Sequence, residues 1–381
     1  MKKKLILLLT LIGVAAALCA LPTCAAQGNA DADGCFSQFL SDAVTGTELY
    51  SYRADEKHQI ASMVKIMTAT LTLESVACGE LAMDEMLTIS QTAAGMGGSQ
   101  MFLDAGQAYP VRDLLKGLIV ASANDASVAL AERIDGSHEA FVAHMNTRAA
   151  ELGMRNTVFC NATGLPSDQE QYSTARDVNI MTRQLMSHPE YYEFAQITLE
   201  DYVHPSGRVT QLTNTNKLLR AYQGCVGGKT GFTNEAGFCL SACAERNQLR
   251  TVATVIGAPD SKTRFRAVSR LFDYGFANYS NTVVCKAGDP AQTVCVGNSR
   301  VKQIECTPDC DLSILTKKGE SAQEVRYDLP QSVKAPIRKG DVIGTASVQA
   351  GEQVYTVNLI AMQDAPKYTW WEALREIAGQ W

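Results

Sequence analysis

The chain has 381 residues, of which 46% are hydrophobic and 19% are charged, and its formal net charge is −6. This length exceeds what one core usually takes and predicts two domains, while the composition excludes an intrinsically disordered chain. The sequence has no basic patch interleaved with aromatic residues, so we expect no nucleic acid partner.

The N-terminus has the pattern of a secretory signal peptide. Residues 2–4 are lysines, residues 5–18 are apolar, and residues 24–26 form a small-residue cleavage site. We predict that residues 1–26 are a signal peptide and that the mature protein is exported. A retained membrane anchor and a lipoprotein at Cys24 are the alternatives. The short apolar segment and Pro22 disfavour the anchor, and Pro22 and Thr23 suit a lipoprotein signal poorly.

The first predicted elements are two strands and two helices. We predict strands at residues 36–40 and 48–53. The glycine-containing turn between them indicates that they form a hairpin. Apolar residues then recur at spacings of three and four, which predicts a helix that begins at Ser62 and ends at Gly79. Residues 112–120 carry an apolar face and predict a second helix.

Helices and antiparallel strands are mixed further along the chain. Asn124 and Asp125 are expected to cap a third helix. Residues 237–244 and 251–256 predict paired strands, and residues 262–276 predict another helix. This order does not alternate as βαβ units do, so we predict an α+β fold with an antiparallel sheet flanked by helices.

The character of the sequence changes near Tyr279. Residues 282–362 contain short alternating apolar runs separated by turns, which predicts a small all-β domain. Residues 367–381 return to a helical period, with Trp370 and Leu374 on one face. An aromatic face suits a membrane interface, although this tail lacks the usual basic face and packing on its own domain is the alternative.

Ten of the 12 cysteines follow the predicted signal peptide. An even number in an exported protein allows disulfides, and Cys306 and Cys310 are the best candidate pair because a short turn separates them. Buried free thiols are the slightly favoured alternative. No C-x-x-C pair occurs, and no two histidines have metal-binding spacing, so we expect neither a metal nor an organic cofactor.

The segment Ser62-Met63-Val64-Lys65 is an S-x-x-K sequence. On a helix these two residues lie one turn apart on the same face, so the Lys65 amine can reach the Ser62 hydroxyl. A serine hydroxyl becomes a nucleophile only when a neighbouring base takes its proton. Lysine can act as that base where burial or nearby positive charge lowers its pKa.

A second S-x-x-K sequence runs from Ser299 to Lys302. It lies in the alternating β region, where residues three apart point to opposite faces. We therefore interpret this copy as structural.

Two further short motifs follow in order along the chain. Ser122-Ala123-Asn124 supplies a hydroxyl for a proton relay and an amide that can hold a substrate amide. Lys229-Thr230-Gly231 leads toward a strand, and its ammonium and hydroxyl suit a carboxylate. Gly231 would let a substrate backbone approach closely.

These three motifs together resemble those of penicillin-binding proteins and serine β-lactamases. Longer stretches resemble the serine D-alanyl-D-alanine carboxypeptidases (peptidase family S11) in particular, over about residues 36–276. They are Ala61-Ser62-Met63-Val64-Lys65-Ile66-Met67-Thr68, Asn161-Ala162-Thr163-Gly164-Leu165, Tyr172-Ser173-Thr174-Ala175-Arg176-Asp177, Asn214-Thr215-Asn216-Lys217-Leu218-Leu219 and Gly228-Lys229-Thr230-Gly231-Phe232-Thr233.

The resemblance implies catalytic roles for the first two motifs. Ser62 would attack the carbonyl between the last two D-alanines of a peptidoglycan stem peptide, and Lys65 would be the general base. Ser122 and Asn124 would assist proton transfer and align the substrate. β-Lactams would acylate the same serine.

The resemblance also implies how the substrate is held. Lys229 and Thr230 would contact the terminal carboxylate, next to Gly231. The backbone N–H groups of Ser62 and Phe232 would form the oxyanion hole, although relatives usually carry His or Tyr at the latter position. Arg264 would be a second carboxylate-binding group, with a solvated helix residue as the alternative.

The implied architecture is a β-lactamase/transpeptidase-like catalytic domain at residues 27–277. An all-β domain at 278–362 and an amphipathic tail helix at 363–381 would follow. Three other functions remain open at this point, one of them a related enzyme that works mainly as a transpeptidase and passes the acyl group to an amine instead of water. A class A β-lactamase would need a glutamate for its deacylating water, and Glu170 lies in the right interval without a matching loop. A non-catalytic penicillin-sensing or wall-binding module would lack a catalytic group.

Overall fold

The computed structural model describes residues 33–320, 324–350 and 353–378, so the predicted signal peptide lies outside the described residues. The elements of the first part are, in chain order, β1 (Ser37–Asp42), β2 (Glu48–Tyr52), a 3-10 turn (Ala61–Val64), α1 (Lys65–Ala77), β3 (Met86–Thr88), α2 (Gln91–Ala94), β4 (Ala108–Pro110), α3 (Val111–Ala121), α4 (Asn124–Asp135), α5 (His138–Glu151), α6 (Ala175–Met186), α7 (Tyr191–Ala195), β5 (Leu199–Val203), β6 (Val209–Thr213), α8 (Leu218–Ala221), β7 (Cys225–Thr233), β8 (Gly237–Arg246), β9 (Leu249–Ala258) and α9 (Ser261–Asn278). The elements of the second part are β10 (Tyr279–Cys285), β11 (Gln292–Gly297), β12 (Gln303–Pro308), β13 (Leu312–Lys317), β14 (Arg326–Asp328), β15 (Ser332–Lys334), β16 (Val342–Ala350), β17 (Gln353–Ala361) and α10 (Trp370–Ala378).

A five-stranded antiparallel sheet, ordered β2-β1-β9-β8-β7, organises the first part of the chain. Its central strands are buried on both faces. Cys239 and Cys243 of β8 belong to the core under α1, α3, α4 and α6, whereas the intervening Leu240 and Ala242 pack with Val268 and Phe272 of α9. Helices therefore cover both faces of the sheet, as the α+β prediction required.

Strand β7 lies at one edge of this sheet and pairs only with β8. Its outer edge faces the 3-10 turn that carries Ser62. Because an edge strand keeps backbone groups free for another extended chain, this edge is suited to hold a peptide.

The predicted caps of the third helix are wrong in their detail. The helix begins at Asn124 after Ala123, and no side chain caps it. The Asp125 carboxylate, which is fully buried, instead accepts hydrogen bonds from the backbone N–H groups of Met101 and Leu103. The preceding loop holds these residues against α4, a tertiary contact that a capping rule does not contain.

The second part of the chain is an all-β domain with its own core, as predicted. A six-stranded sheet, ordered β14-β16-β17-β12-β11-β15, packs with the β10-β13 pair. Contacts join this domain to the catalytic part, and among them Leu315 of β13 joins the core around α9. The Lys318 amine also donates to the Phe276 carbonyl at 2.8 Å.

Helix α10 covers a shorter stretch than the predicted tail helix. Trp370 and Trp371 are 67% and 68% exposed, and Leu374 is also exposed. None of the helices in the described part of the chain combines the length and apolar character needed to span a membrane.

The candidate Cys306–Cys310 pair does not form a disulfide, because all ten described cysteines are free thiols. Cys306 is buried within β12, whereas Cys310 is exposed in the turn before β13. The alternative of free thiols is confirmed, with Cys35, Cys239 and Cys243 buried in the catalytic domain.

Candidate active site

Ser62 lies in the 3-10 turn that leads directly into α1, and its side chain is partly exposed. Two glycines allow this turn to sit deep between neighbouring segments. Gly164 has a φ of +77°, and a Cβ there would collide with the carbonyl oxygen of Ala61. A Cβ on Gly231 would lie 2.5 Å from the Ile60 carbonyl oxygen. The close approach at Gly231 is therefore to the protein's own turn, whereas the sequence predicted an approach to substrate.

Lys65 begins α1 and is fully buried. Its Nζ donates to the Ser62 Oγ at 3.1 Å and to the Thr163 carbonyl at 2.6 Å. Burial and the nearby positive charge of Lys229 lower the pKa of Lys65 well below its ordinary value, and the Asp125 carboxylate acts in the opposite direction. A neutral amine one hydrogen bond from a serine hydroxyl has the arrangement of a general base and its nucleophile.

A second lysine–serine pair lies beside the first. The Lys229 Nζ donates to the Ser122 Oγ at 2.7 Å and to the Thr230 carbonyl at 2.9 Å. Ser122 ends α3 in the left-handed conformation with a φ of 62°, which is uncommon for a residue other than glycine and aims its side chain at the site. Burial and the charge of Arg264 lower the pKa of Lys229 to about 7.

Asn124 is held by the loop in front of α4. Its backbone N–H donates to the Ser99 carbonyl at 2.7 Å, and its Nδ2 donates to the Gly97 carbonyl at 2.6 Å. Among the described residues, its buried Oδ1 has no hydrogen-bond partner. The side-chain amide is therefore fixed with its acceptor oxygen free, and this oxygen can accept a hydrogen bond from a substrate N–H.

The remaining candidates lie on or behind β7. The Thr230 Oγ1 donates to the Thr215 Oγ1 at 2.8 Å, which orients both hydroxyls. Phe232 is 50% exposed and stacks on Phe238 with 4.2 Å between ring centroids. Its aromatic side chain therefore lines the surface beside the strand edge.

Arg264 is buried behind this strand. Its Nη1 donates to the carbonyls of Gly231 and Cys239 at 3.2 Å each, so it fixes the backbone of β7 relative to β8. The alternative of a solvated helix residue is excluded by its 7% exposure. Its contact with a substrate carboxylate stays a prediction, since in this structure the guanidinium is bonded to the backbone of β7 and β8.

In the second S-x-x-K sequence, the serine and the lysine do not contact each other in the way that Ser62 and Lys65 do. The Ser299 Oγ accepts from the Val301 backbone N–H, and the Lys302 amine donates to the Tyr368 hydroxyl. The serine and the lysine are engaged elsewhere, so this copy is structural as expected. It lies in the turn between β11 and β12 and not within a strand, so the expected strand alternation is not what separates the two side chains.

Sequence reasoning missed three groups that support the site. Thr163 contributes its backbone carbonyl to Lys65. Any residue type has this group, so only its place in the Asn161-to-Leu165 stretch could have indicated it. Thr215 lies in another quoted stretch without an assigned role, and Asp125 was assigned to a cap. All three act through contacts between segments far apart in sequence, which spacing rules do not register.

Glu170, the candidate deacylating residue of a β-lactamase, is exposed. No hydrogen bond joins it to the groups around Ser62 in the described structure. Within the described ranges, no group of three or more His, Cys, Asp or Glu side chains is placed to hold a metal ion. The site's chemistry is that of acyl transfer by a serine with two lysines.

Comparison with protein families matches both parts of the chain. The family model described as D-alanyl-D-alanine carboxypeptidase matches residues 25–260. The model described as penicillin-binding protein 5, C-terminal domain, matches residues 279–367. Together the two matches follow the catalytic and all-β parts of the structure.

Individual proteins show the same likeness. The D-alanyl-D-alanine carboxypeptidase DacF of Bacillus subtilis is 38% identical over 349 residues, covering 91% of this chain and 89% of the relative. The crystal structure of penicillin-binding protein 5 from Haemophilus influenzae is 31% identical with a TM-score of 0.68, covering 87% of this chain and 98% of that one. A variant of the Streptomyces K15 DD-transpeptidase is 31% identical with a TM-score of 0.59, covering 64% of this chain and 98% of that one.

Proposed function

The chain belongs to the D-alanyl-D-alanine carboxypeptidase family, and from this premise we propose that Ser62 removes the terminal D-alanine of peptidoglycan stem peptides through an acyl-enzyme. The observation that carries the assignment is the 3.1 Å hydrogen bond from the buried Lys65 amine to the Ser62 hydroxyl. The chain is thus a serine hydrolase of the penicillin-binding type, and β-lactams acylate the same hydroxyl.

In the acylation step, the neutral Lys65 amine takes the proton of Ser62 while the serine oxygen attacks the carbonyl carbon of the penultimate D-alanine. The negative charge that develops on the carbonyl oxygen is held by the backbone N–H groups of Ser62 and Phe232. One such donor is typically worth about 3 kcal/mol of transition-state stabilisation. The C–N bond then breaks, and the departing D-alanine amine takes a proton from the lysine–serine network.

In the deacylation step, a water molecule attacks the ester carbonyl of Ser62. The same amine accepts a proton from that water, and the serine oxygen leaves with the returned proton. Ser122 and Lys229 would relay protons in either step, and the 2.7 Å hydrogen bond that joins them supports this role. Asn124 would accept a hydrogen bond from the substrate backbone at its free oxygen.

The terminal carboxylate would bind near the middle of β7, at Lys229 and Thr230. Protonated Lys229 supplies charge there, and the hydroxyls of Thr230 and Thr215 supply donors. Arg264 adds positive charge from behind the strand and holds Gly231 in place. A substrate without this carboxylate would leave the pocket's donors unpaired, which accounts for a preference for the chain terminus.

The direct test is release of D-alanine from a stem pentapeptide that ends in D-Ala-D-Ala. The wild type should release it, and Ser62→Ala should not, while keeping its thermal unfolding temperature. A labelled penicillin should attach covalently to the wild type alone. A folded wild-type protein that takes up no penicillin would overturn the assignment of Ser62.

Transfer of the acyl group to an amine is a second candidate reaction. It is favoured by the likeness to the Streptomyces K15 protein, which is described as a DD-transpeptidase. An added amino acid acceptor would then divert the product from the free acid to an amide at constant D-alanine release. Product analysis by mass spectrometry separates the two outcomes.

We propose further that the protein is exported and consists of two domains and a tail. Residues 1–26 direct export, residues 27–277 form the catalytic domain and residues 278–362 form the all-β domain. The tail at residues 363–381 makes peripheral contact with the outer face of the membrane. The exposed indoles of Trp370 and Trp371 support this contact.

A further inference from the structure

A cavity of about 190 Å³ lies next to the nucleophile. Its floor is formed by Gln59, Ile60 and Ala61, the residues just before Ser62. One wall is the loop that follows Gly164, and the opposite wall is the turn between β7 and β8. The cavity therefore continues the active-site cleft at the far end of the β7 edge.

Glu235 is the charged side chain of this cavity; the other lining side chains are neutral. It is exposed and lies two residues beyond the end of β7. In the described part of the chain, its carboxylate is recorded in no hydrogen bond and no ion pair. A carboxylate without an internal partner is free to pair with a cation that enters the cavity.

The order of groups along β7 gives the direction of a bound peptide. Lys229 and Thr230 come first and suit the terminal carboxylate, and Phe232 follows with its oxyanion-hole N–H. A peptide laid along this edge has its scissile carbonyl opposite Phe232, so the residues before the scissile bond run toward Glu235. The cavity thus receives the acyl side of the substrate.

We propose that this cavity is the subsite for the residue that precedes the acylated D-alanine, and that Glu235 pairs with an ammonium group at the end of its side chain. The proposal rests on the proposed function, because that function sets the direction of the peptide. It assigns to Glu235 the recognition of the side-chain charge at this position of the stem peptide, as in a peptide that carries lysine there.

The reach of such a side chain agrees with the spacing. Glu235 lies three positions beyond Phe232, and because β7 ends at Thr233 the chain spans at most about 10 Å between them. One Cα–Cα step of about 3.8 Å and a four-carbon amine stem of about 6 Å together cover a similar distance. A lysine side chain is therefore long enough to bring its ammonium group to the Glu235 carboxylate while the D-alanine carbonyl lies at Ser62.

The test compares two tripeptides that differ only in this charge, Nα-acetyl-L-Lys-D-Ala-D-Ala and its Nα,Nε-diacetyl counterpart. For the wild type, kcat/KM should be higher for the free amine by up to about fivefold, as for one accessible ion pair. Glu235→Gln should bring the ratio to about one, and Glu235→Lys should favour the acetylated peptide. Salt should lower the wild-type ratio toward one, because it screens an accessible pair.

Glu170→Gln is the matched control, since Glu170 is an exposed carboxylate of the facing loop that does not line the cavity. It should leave the wild-type ratio unchanged. A Glu235→Gln ratio equal to that of the wild type would overturn the proposal, as would an equal loss on both peptides.

Competition of the two peptides with labelled penicillin separates this proposal from the proposed function. Penicillin lacks the side-chain amine, so Glu235→Gln should still be acylated at the wild-type rate. If neither peptide is hydrolysed but the free amine competes better in a Glu235-dependent way, the subsite stands and the hydrolytic function fails. If hydrolysis occurs without any preference for the amine, the function stands and the subsite fails.

Discussion

At the scale of single residues, the site depends on two buried lysines that both contact serine hydroxyls. Lys65 donates to Ser62 and Lys229 donates to Ser122, at 3.1 and 2.7 Å. Two like charges close together in a buried site repel each other. Once one of the two amines has lost its proton, the pKa of the other amine therefore rises. Because burial and the charge of Lys229 both lower the pKa of Lys65, we expect Lys65 to be the amine that loses its proton first.

Replacing Lys65 with arginine tests the need for a neutral amine. A guanidinium stays protonated, so Lys65→Arg keeps a positive charge but cannot take the serine proton. Acylation by labelled penicillin should fall by at least about 100-fold, the usual share of a general base. Lys229→Arg serves as the comparison and should retain more acylation; an equal loss in both variants, with both folded, would contradict the assignment of the base.

Arg264 should control the pH dependence of carboxylate binding. The pKa of Lys229 is lowered to about 7 by burial and by the charge of Arg264. If protonated Lys229 binds the carboxylate, KM rises as the pH increases through this pKa. Arg264→Met removes a like charge and raises the pKa of Lys229, so the rise in KM moves to higher pH. Arg264→Lys keeps the charge and should keep the wild-type profile of KM between pH 5 and 9.

The side chains of the site were predictable from sequence, whereas its backbone contributions were not. Ser62 and Lys65 follow from the spacing of one helical turn, and the structure places them in contact. The Thr163 carbonyl, which holds the same amine, carries no residue-type signal. The role of Gly231 was misread for a related reason, because its neighbour is a backbone oxygen of a distant segment.

At the scale of elements, the edge of β7 connects the fold to catalysis. Packing of Gly231 against Ile60 sets the distance between this edge and the Ser62 turn. Arg264 fixes the same strand from the other side. A small shift of β7 would therefore change the oxyanion hole and the carboxylate site together.

The N–H group of Phe232 can be removed without deleting the strand. Phe232→Pro eliminates this donor, and proline is tolerated at a sheet edge. Its acylation rate should fall by about 100-fold or more, the usual cost of one oxyanion-hole donor. Phe232→Ala keeps the donor and loses only the stacking on Phe238, so it should lose much less. Similar rates for the two variants would exclude this N–H from catalysis.

Elements were predicted well where periodicity was strong and less well where contacts between elements decide. The helix predicted at residues 262–276 is Ser261–Asn278, and the strand predicted at 251–256 is Leu249–Ala258. Both are bounded by turns that the sequence marks clearly. The short pairs β3–β4 and β5–β6 were not predicted, because alternation over so few residues cannot be distinguished from that of a loop.

At the scale of the whole molecule, the catalytic and all-β parts each have a core, and they meet at a limited surface. Leu315 packs onto the catalytic part, and Lys318 donates to a carbonyl at the end of α9. The Thr47 Oγ1 adds a hydrogen bond to the Gln353 Oε1 at 2.9 Å. These contacts orient the all-β part relative to the cleft without entering it.

The exposed indoles of α10 should govern binding to lipid. Trp370→Ser together with Trp371→Ser should lower co-sedimentation with lipid vesicles by several-fold, because indole rings favour the membrane interface. Release of D-alanine from a soluble peptide should not change. Val354→Ser removes another exposed apolar side chain from the same domain and should bind vesicles as the wild type does. Equal binding to vesicles by all three proteins would contradict a role of the tail in membrane contact.

The free thiols have a practical consequence for attaching probes to this protein. Cys78, Cys295 and Cys310 are exposed, and none belongs to the lysine–serine site. Burial raises the pKa of Cys35 and Cys239 to about 11 and 12, which keeps these thiols protonated and slow to react. A thiol-reactive dye or surface linker would therefore modify three outlying positions first. Replacing two of them would leave one fully exposed handle among the described residues for immobilising the enzyme, beside the partly buried Cys160, Cys225 and Cys285.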